Sequence, residues 1–361
     1  VTAALLKDLL DEPLLNRLAN AVAAQHSLFS PTCFLQQVLI PSYADLALKQ
    51  RISHVATVLW QQMDLPLKDC CARLKPVSEQ ITGLPGLVFP ELVAKFGLDD
   101  FAVAMDALAH FTCGSTAEFA IRPFIERYPQ QTLQQLQQWT LSNNHHHRRL
   151  ASEGCRPRLP WGNALPVFKQ DPTPLLPILT ALKADHSEYV RRSVANNLND
   201  ISKDHPDLVL ALAQQWRGQT ANTDRILRHA LRGLLKSRDA RALALFDCQP
   251  RQLQASLALH NRQIRYGELL QFSAQLQLSD GPAPLRVEYA IDFAGKNGQH
   301  RHKVFQWLNK TAGPGVFNCQ KSYRFTDLTT RKHYAGAHRI HLVVNGNIVA
   351  SADFELIRHN S

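Results

Sequence analysis

The 361-residue sequence has no uncharged apolar run approaching the roughly 18 residues that cross a bilayer, so no membrane span is expected. Its seven cysteines include no Cys-x-x-Cys pair, and Cys70 and Cys71 are adjacent. Neither a disulfide framework nor a zinc knuckle is predicted, and a reducing compartment fits. Residues 1–20 mix Leu and Ala with Lys7, Asp8, Asp11 and Glu12, without the regions of a signal peptide. The chain is therefore expected to be soluble and cytoplasmic, with its start trimmed or its Met removed. Charged residues are only 19% of the chain against 45% hydrophobic, which excludes a disordered protein. The length allows two or three domains and a sizeable core.

What the chain does have is an excess of positive charge, +10 overall. Residues 251–361 hold 14 Lys and Arg against 7 Asp and Glu, or +7, which leaves +3 for the preceding 250 residues. That imbalance points to a polyanionic partner.

From residue 33 to 246 apolar residues recur at helical spacing between Pro, Gly and Asp-rich breaks. Helices are predicted over 55–63, 69–81, 87–96, 99–113, 117–128, 130–142, 173–184, 187–203, 206–217 and 223–237. Val190, Val194 and Leu198 lie 37 residues before Leu227, Leu231 and Leu235. With Asp185 and Arg191 they give the arrangement of HEAT-like helix-pair repeats, which stack into a curved solenoid with a concave face. After residue 250 the period changes to two. Leu270 to Leu278 and Leu285 to Phe293 alternate around a Gly281-Pro282 turn. Ile340, Leu342 and Val344 return as Ile348, Ala350, Ala352 and Phe354 through Asn345-Gly346, a hairpin turn. The fold expected is mainly α, a HEAT-like solenoid over 1–250, followed by an immunoglobulin-like β-sandwich over 251–361.

The densest run of chemistry-bearing residues is 145–162, with four Arg, three His, Glu153 and Trp161. Its Gly and Pro predict an irregular loop. Such a loop either presents Arg to phosphates and Trp to bases, or is a basic surface loop anchored to the core by its Trp. The His145–His147 triplet has no second cluster of ligands at metal spacing, so no metal is expected. Arg192, Asn196 and Asp200 share a helical stripe that could be a ligand face, although a lone stripe of this kind is usually an ordinary polar face with a weak ion pair. Ser115-Thr-Ala-Glu118 matches a capping box, and Glu118 could also pair with Arg122 one turn on.

The blocks RRLASEGCRPRLPWG (148–162) and SEYVRRSVANNLNDISKDHP (187–206) resemble the signature blocks of the bacterial AlkC DNA glycosylases. These belong to the HEAT-like repeat superfamily of alkylation repair enzymes that also includes AlkD, in a branch with a C-terminal immunoglobulin-like domain. The resemblance implies excision of cationic alkylated bases, chiefly 3-methyladenine and 3-methylcytosine, from duplex DNA without full base flipping. It implies Glu118, Glu153 and Asp200 as the catalytic carboxylates and Trp161 as a DNA-facing aromatic. Arg148, Arg149, Arg156, Arg158 and Arg192, with Lys321, Arg324 and Arg339 of the basic sandwich, are the expected DNA contacts, joined by Arg331 and Lys332. No cofactor, membrane or obligatory protein partner is expected, and the chain is expected to be a monomer. The alternatives are a non-catalytic sensor of distorted DNA and a scaffold for an acidic protein.

Overall fold

The computed structural model describes residues 5–248, 253–279, 282–296, 299–328 and 331–358. Among them are sixteen α-helices, from Glu12–Gln25 to Ala240–Leu245, followed by eight strands. No helix among the described residues is long and apolar enough to cross a membrane.

Contacts divide the chain into two compact units. One holds the residues up to Val209 and Trp216–Ala230; the other holds Leu210–Gln215 and everything from Leu231 onward. The expected junction between residues 250 and 251 lies outside the described residues. The helices Arg232–Lys236 and Ala240–Leu245 belong with the strands. One reason is visible at Gly346, where a Cβ would lie 2.5 Å from Leu243 Cδ1.

In the helical unit, Glu188–Ile201 packs against both His145–Glu153 and Ala221–Ala230. Val190, Val194 and Leu198 are fully buried, as the periodicity requires. The structure departs from expectation in two places that matter for the site. Residues 118–121 form turns, and the helix there is only Arg122–Arg127. Conversely, the first half of the supposed loop is a helix, His145–Glu153, capped by Asn144 Oδ1, which accepts from the His146 amide at 2.9 Å. No Gly or Pro interrupts it until Gly154, where a Cβ would lie 2.5 Å from Ile121 Cγ2. Only glycine lets these two segments approach so closely.

The strands are β1 (Gln254–Leu259), β2 (Gln263–Arg265), β3 (Leu269–Leu278), β4 (Ala283–Ala294), β5 (His300–Ala312), β6 (Gly315–Arg324), β7 (Gly336–Val344) and β8 (Asn347–Ile357). They form a three-stranded sheet, β1-β3-β6, and a five-stranded sheet, β2-β8-β7-β4-β5. The alternating residues Leu270 to Leu278 and Leu285 to Phe293 are buried between them. Gly281 of the predicted β3–β4 turn lies outside the described residues. The Asn345-Gly346 turn forms, with φ of 47° and 84°. Ile348 does not join the core: the β7–β8 register shifts at Leu342/Val343, sets Ile348 opposite Val343 and leaves it exposed.

Candidate active site

Three elements of the helical unit bring the predicted carboxylates together. Glu118 sits on the turn before Arg122–Arg127, Glu153 ends His145–Glu153, and Asp200 is one residue from the end of Glu188–Ile201. Two arginines link all three. Arg149 pairs with Glu118 and lies 3.8 Å from Glu153 Oε1, while Arg156 Nη1 donates to Glu153 Oε1 at 2.6 Å and its Nε to Asp200 Oδ2 at 2.9 Å. All five side chains are largely buried, none more than 13% exposed. Charges removed from water to this extent hold together only when paired.

The capping box is not formed. Ser115 Oγ donates to Gly83 O, and Glu118 Oε2 accepts from Thr116 Oγ1 at 2.7 Å and from Arg149. Nor does Glu118 pair with Arg122. That residue is buried and donates to the carbonyls of Gly154, Arg156 and Asn163, pinning the chain that carries Arg156 and Trp161. Burial draws its guanidinium down to about 10, still protonated at neutral pH. Sequence reasoning missed this role because an Arg followed by a Pro signals nothing about which carbonyls it will meet.

The two oxygens of each acid are used unequally. Asp200 engages both, Oδ2 with Arg156 and Oδ1 with Lys203 Nζ at 3.0 Å. Glu153 engages its arginines through Oε1, and Glu118 its partners through Oε2. Among the described residues, Glu153 Oε2 and Glu118 Oε1 accept no hydrogen bond. Cys155, two residues from Glu153, is no rival nucleophile, since burial pushes its thiol up to about 12.

Trp161 does not anchor the segment to the core; it is 59% exposed. Its backbone is left-handed, with φ 65°, a conformation costing a non-glycine residue about 1–2 kcal/mol, and Lys49 Nζ donates to its carbonyl. Its ring lines a cleft shared with Glu118, Gly83, Ser115 and Pro160, and a neighbouring cavity of about 310 Å³ with Lys49, Leu87 and Phe119. Tyr189, partly exposed, lies with its ring 5.1 Å from the Arg149 guanidinium.

The expected DNA-contacting arginines separate by burial. Arg148 is buried and bidentate to Asp185, at 2.6 and 3.1 Å, and Arg156 is buried between Glu153 and Asp200. Both are engaged by buried carboxylates here, so this arrangement lends no support to the expectation that they touch phosphate. Arg149 is likewise turned toward Glu118. Arg158 is partly exposed and paired with Asp204, and Arg192 is exposed and paired with Glu188. The stripe through Arg192 and Asp200 is therefore not one solvent face, because Asp200 points inward to Arg156. In the strand unit Lys321, Arg324, Lys332 and Arg339 are exposed; Arg339 pairs with Asp353, and half-buried Arg331 donates to Tyr323 Oη.

Comparison with known proteins agrees with this organisation. Residues 107–234 match the family model described as DNA alkylation repair enzyme, and residues 254–358 the model of the C-terminal Ig-like domain of the uncharacterised protein YhaZ. The chain is 41% identical over 360 residues to the uncharacterized protein YhaZ of Bacillus subtilis, covering 97% of this chain and 99% of that one. Its structure is similar to that of the Pseudomonas fluorescens alkylpurine DNA glycosylase AlkC bound to DNA containing an abasic site analog. The TM-score is 0.94 at 38% identity, over 98% of this chain and all of the other.

Proposed function

This chain belongs to the DNA alkylation repair family of AlkC and AlkD, with a YhaZ-type C-terminal Ig-like domain, and we propose that it is itself a monofunctional DNA glycosylase. Its substrates on this reading are duplex DNA bases made cationic by alkylation, chiefly 3-methyladenine and 3-methylcytosine. The observation that carries the reading is the buried set Glu118, Glu153 and Asp200, in which Glu118 and Glu153 each keep one oxygen free of hydrogen bonds and Glu118 lines a cleft together with an exposed Trp.

The residue types fit the reaction. A base alkylated at N3 already carries the positive charge, so the C1′–N bond breaks with its electron pair going to the base. The base leaves neutral and needs no general acid. Positive charge passes to the deoxyribose as an oxocarbenium ion, which anionic oxygens stabilise. Water adds at C1′ and gives up a proton, and a free carboxylate oxygen is a suitable acceptor. On this assignment Glu153 and Glu118 face the sugar and water. Asp200, with both oxygens engaged, fixes Arg156 and through it Glu153. No step requires the base to enter a deep pocket, so the lesion can react without full flipping, with Trp161 against the opened site. The exposed bases of the Ig-like domain serve as contacts to phosphate.

A protein that only senses distorted DNA has no use for buried carboxylates beside a polyanion, since they repel it. The test is release of free base from methylated duplex. Glu153→Gln is expected to lower the rate about 100- to 1,000-fold by analogy with removing one preorganised transition-state contact, with binding retained. Asp200→Asn is expected to be nearly as inactive. No base release by the wild-type chain, or full activity in both variants, would sink the reading.

A further inference from the structure

We propose that Asp292, His302 and His341, on the outer part of the five-stranded sheet, form a binding site for a divalent cation of the zinc class. The three residues lie 10 and 49 positions apart from the first, a spacing with no metal-binding pattern in the sequence. The sheet assembles them. Asp292 on β4 is directly opposite His302 on β5, and His341 lies on β7, the other neighbour of β4. Cross-strand neighbours on one face project their side chains in the same direction. His302 Nδ1 stands 2.6 Å from Asp292 Oδ1 and His341 Nε2 2.8 Å from Asp292 Oδ2. One donor atom from each residue can be chosen so that all lie within 4.8 Å of one another. Tetrahedral zinc needs ligand atoms about 3.3 Å apart at its usual bond lengths, a side-chain adjustment on a fixed backbone.

Two further features favour a metal over a plain hydrogen-bonded triad. His341 Nδ1 is 2.8 Å from Ser351 Oγ, directly across on β8, so a proton on Nδ1 donated to Ser351 leaves the Nε2 lone pair toward Asp292. Metal-binding histidines are usually oriented by such an outer contact. The cation directly opposite Asp292 on β7 is also neutralised: Arg339 is bound by both oxygens of Asp353 at 2.6 and 3.0 Å. Two neutral imidazoles and one carboxylate make a three-ligand set whose fourth position, on the partly exposed His302 side, takes water. Because β5 is an edge strand, the ion would clamp it to β4 and β7.

The test uses the full chain, stripped with chelator and titrated with zinc chloride by calorimetry, alongside zinc-edge X-ray absorption. The expected result is one zinc per chain, a shell of nitrogen and oxygen only, and a raised melting temperature. His302→Asn and His341→Asn should each weaken binding by more than about 100-fold, beyond the loss typical of outer-shell changes. His302 is largely at the surface, so its variant carries the test alone if the His341 variant does not fold. His146→Gln with His147→Gln is the control for the histidine triplet and should leave affinity unchanged. Absence of binding, sulfur in the shell, or binding abolished by the control pair but not by His302→Asn would overturn the proposal.

Discussion

In the helical unit the arginines of residues 148–158 mostly turn inward: Arg148 onto Asp185, Arg149 onto Glu118, Arg156 onto Glu153 and Asp200. In the strand unit Arg301, Lys303, Lys321, Arg324 and Lys332 lie on the outside, and the interior is built from Phe272, Tyr289, Phe293, Phe325 and Phe354. The same residue type thus does two jobs. Buried beside carboxylates, a guanidinium organises acids that could not otherwise be held together away from water. Exposed, it contributes to a field that attracts a polyanion and is screened by salt. The segment richest in Arg therefore spends most of its guanidinium charge on buried carboxylates, and local charge density in a sequence is a poor guide to which arginines stay free to meet a polyanion.

The largest predicted effect breaks the inward half of this contrast. Arg156→Ala leaves Glu153 and Asp200 buried without the guanidinium between them, an arrangement expected to cost about 3–5 kcal/mol. For a unit of this size that lowers the melting temperature on the order of 10 °C, and base release should disappear with it. A melting curve like that of the wild type would show that the network is not structural. An intermediate effect tests the outward half. Lys303→Ala, Lys321→Ala and Lys332→Ala combined should leave the melting temperature nearly unchanged, since exposed substitutions usually stay within about 0.5 kcal/mol each. The dependence of log affinity for duplex DNA on log salt should become less steep by about 0.9 for each phosphate that the variant no longer neutralises. Arg148→Met, measured below its melting range, should not alter that slope, because Arg148 is occupied by Asp185. If Arg148→Met flattens the slope and the triple lysine variant does not, the two halves have been assigned the wrong way round.

Much of the architecture was legible because it rests on short-range patterns. Period-two alternation marked β3 and β4, Asn345-Gly346 marked the hairpin, and the stripe through Val190, Val194 and Leu198 marked the helix that carries Asp200. Glu153 and Asp200 stood out as candidates only through resemblance to known signature blocks, and Glu118, outside both blocks, only through the wider family resemblance. What could not be read was tertiary. Nothing local says that Arg122 will bind carbonyls some 30 to 40 residues away, or that Arg156 will reach an acid 44 residues on. The helix at 145–153 was hidden because Gly154, Pro157 and Pro160 follow it closely, and their breaking effect was spread over residues that precede them. Ile348 was misplaced because a single register shift changes which face a strand residue occupies.

The smallest effect concerns acid and separates the units by chemistry. His333 and His338 are buried among the rings of the strand unit, and burial is the main cause holding both below the ordinary histidine value. They fold neutral, so the unfolded chain takes up more protons as pH falls through about 6.5, and the strand unit loses stability in that range. Asp185 behaves oppositely: burial would raise it, but hydrogen bonds from Arg148 and the Ser187 amide outweigh burial and hold it low. Its contribution to the helical unit is present above the ordinary carboxylate range and is lost only as pH falls through its lowered value. His146 and His147 are also held low by burial, but both are only half-buried, so their share is the lesser one. Peptide-resolved hydrogen exchange at pH 7.5 and 5.0, corrected for intrinsic rates, should therefore show protection falling first in β4, β7 and β8. Earlier loss in the helix Glu188–Ile201 would mean that its buried ion pairs, rather than the histidines of the sandwich, are the acid-sensitive element.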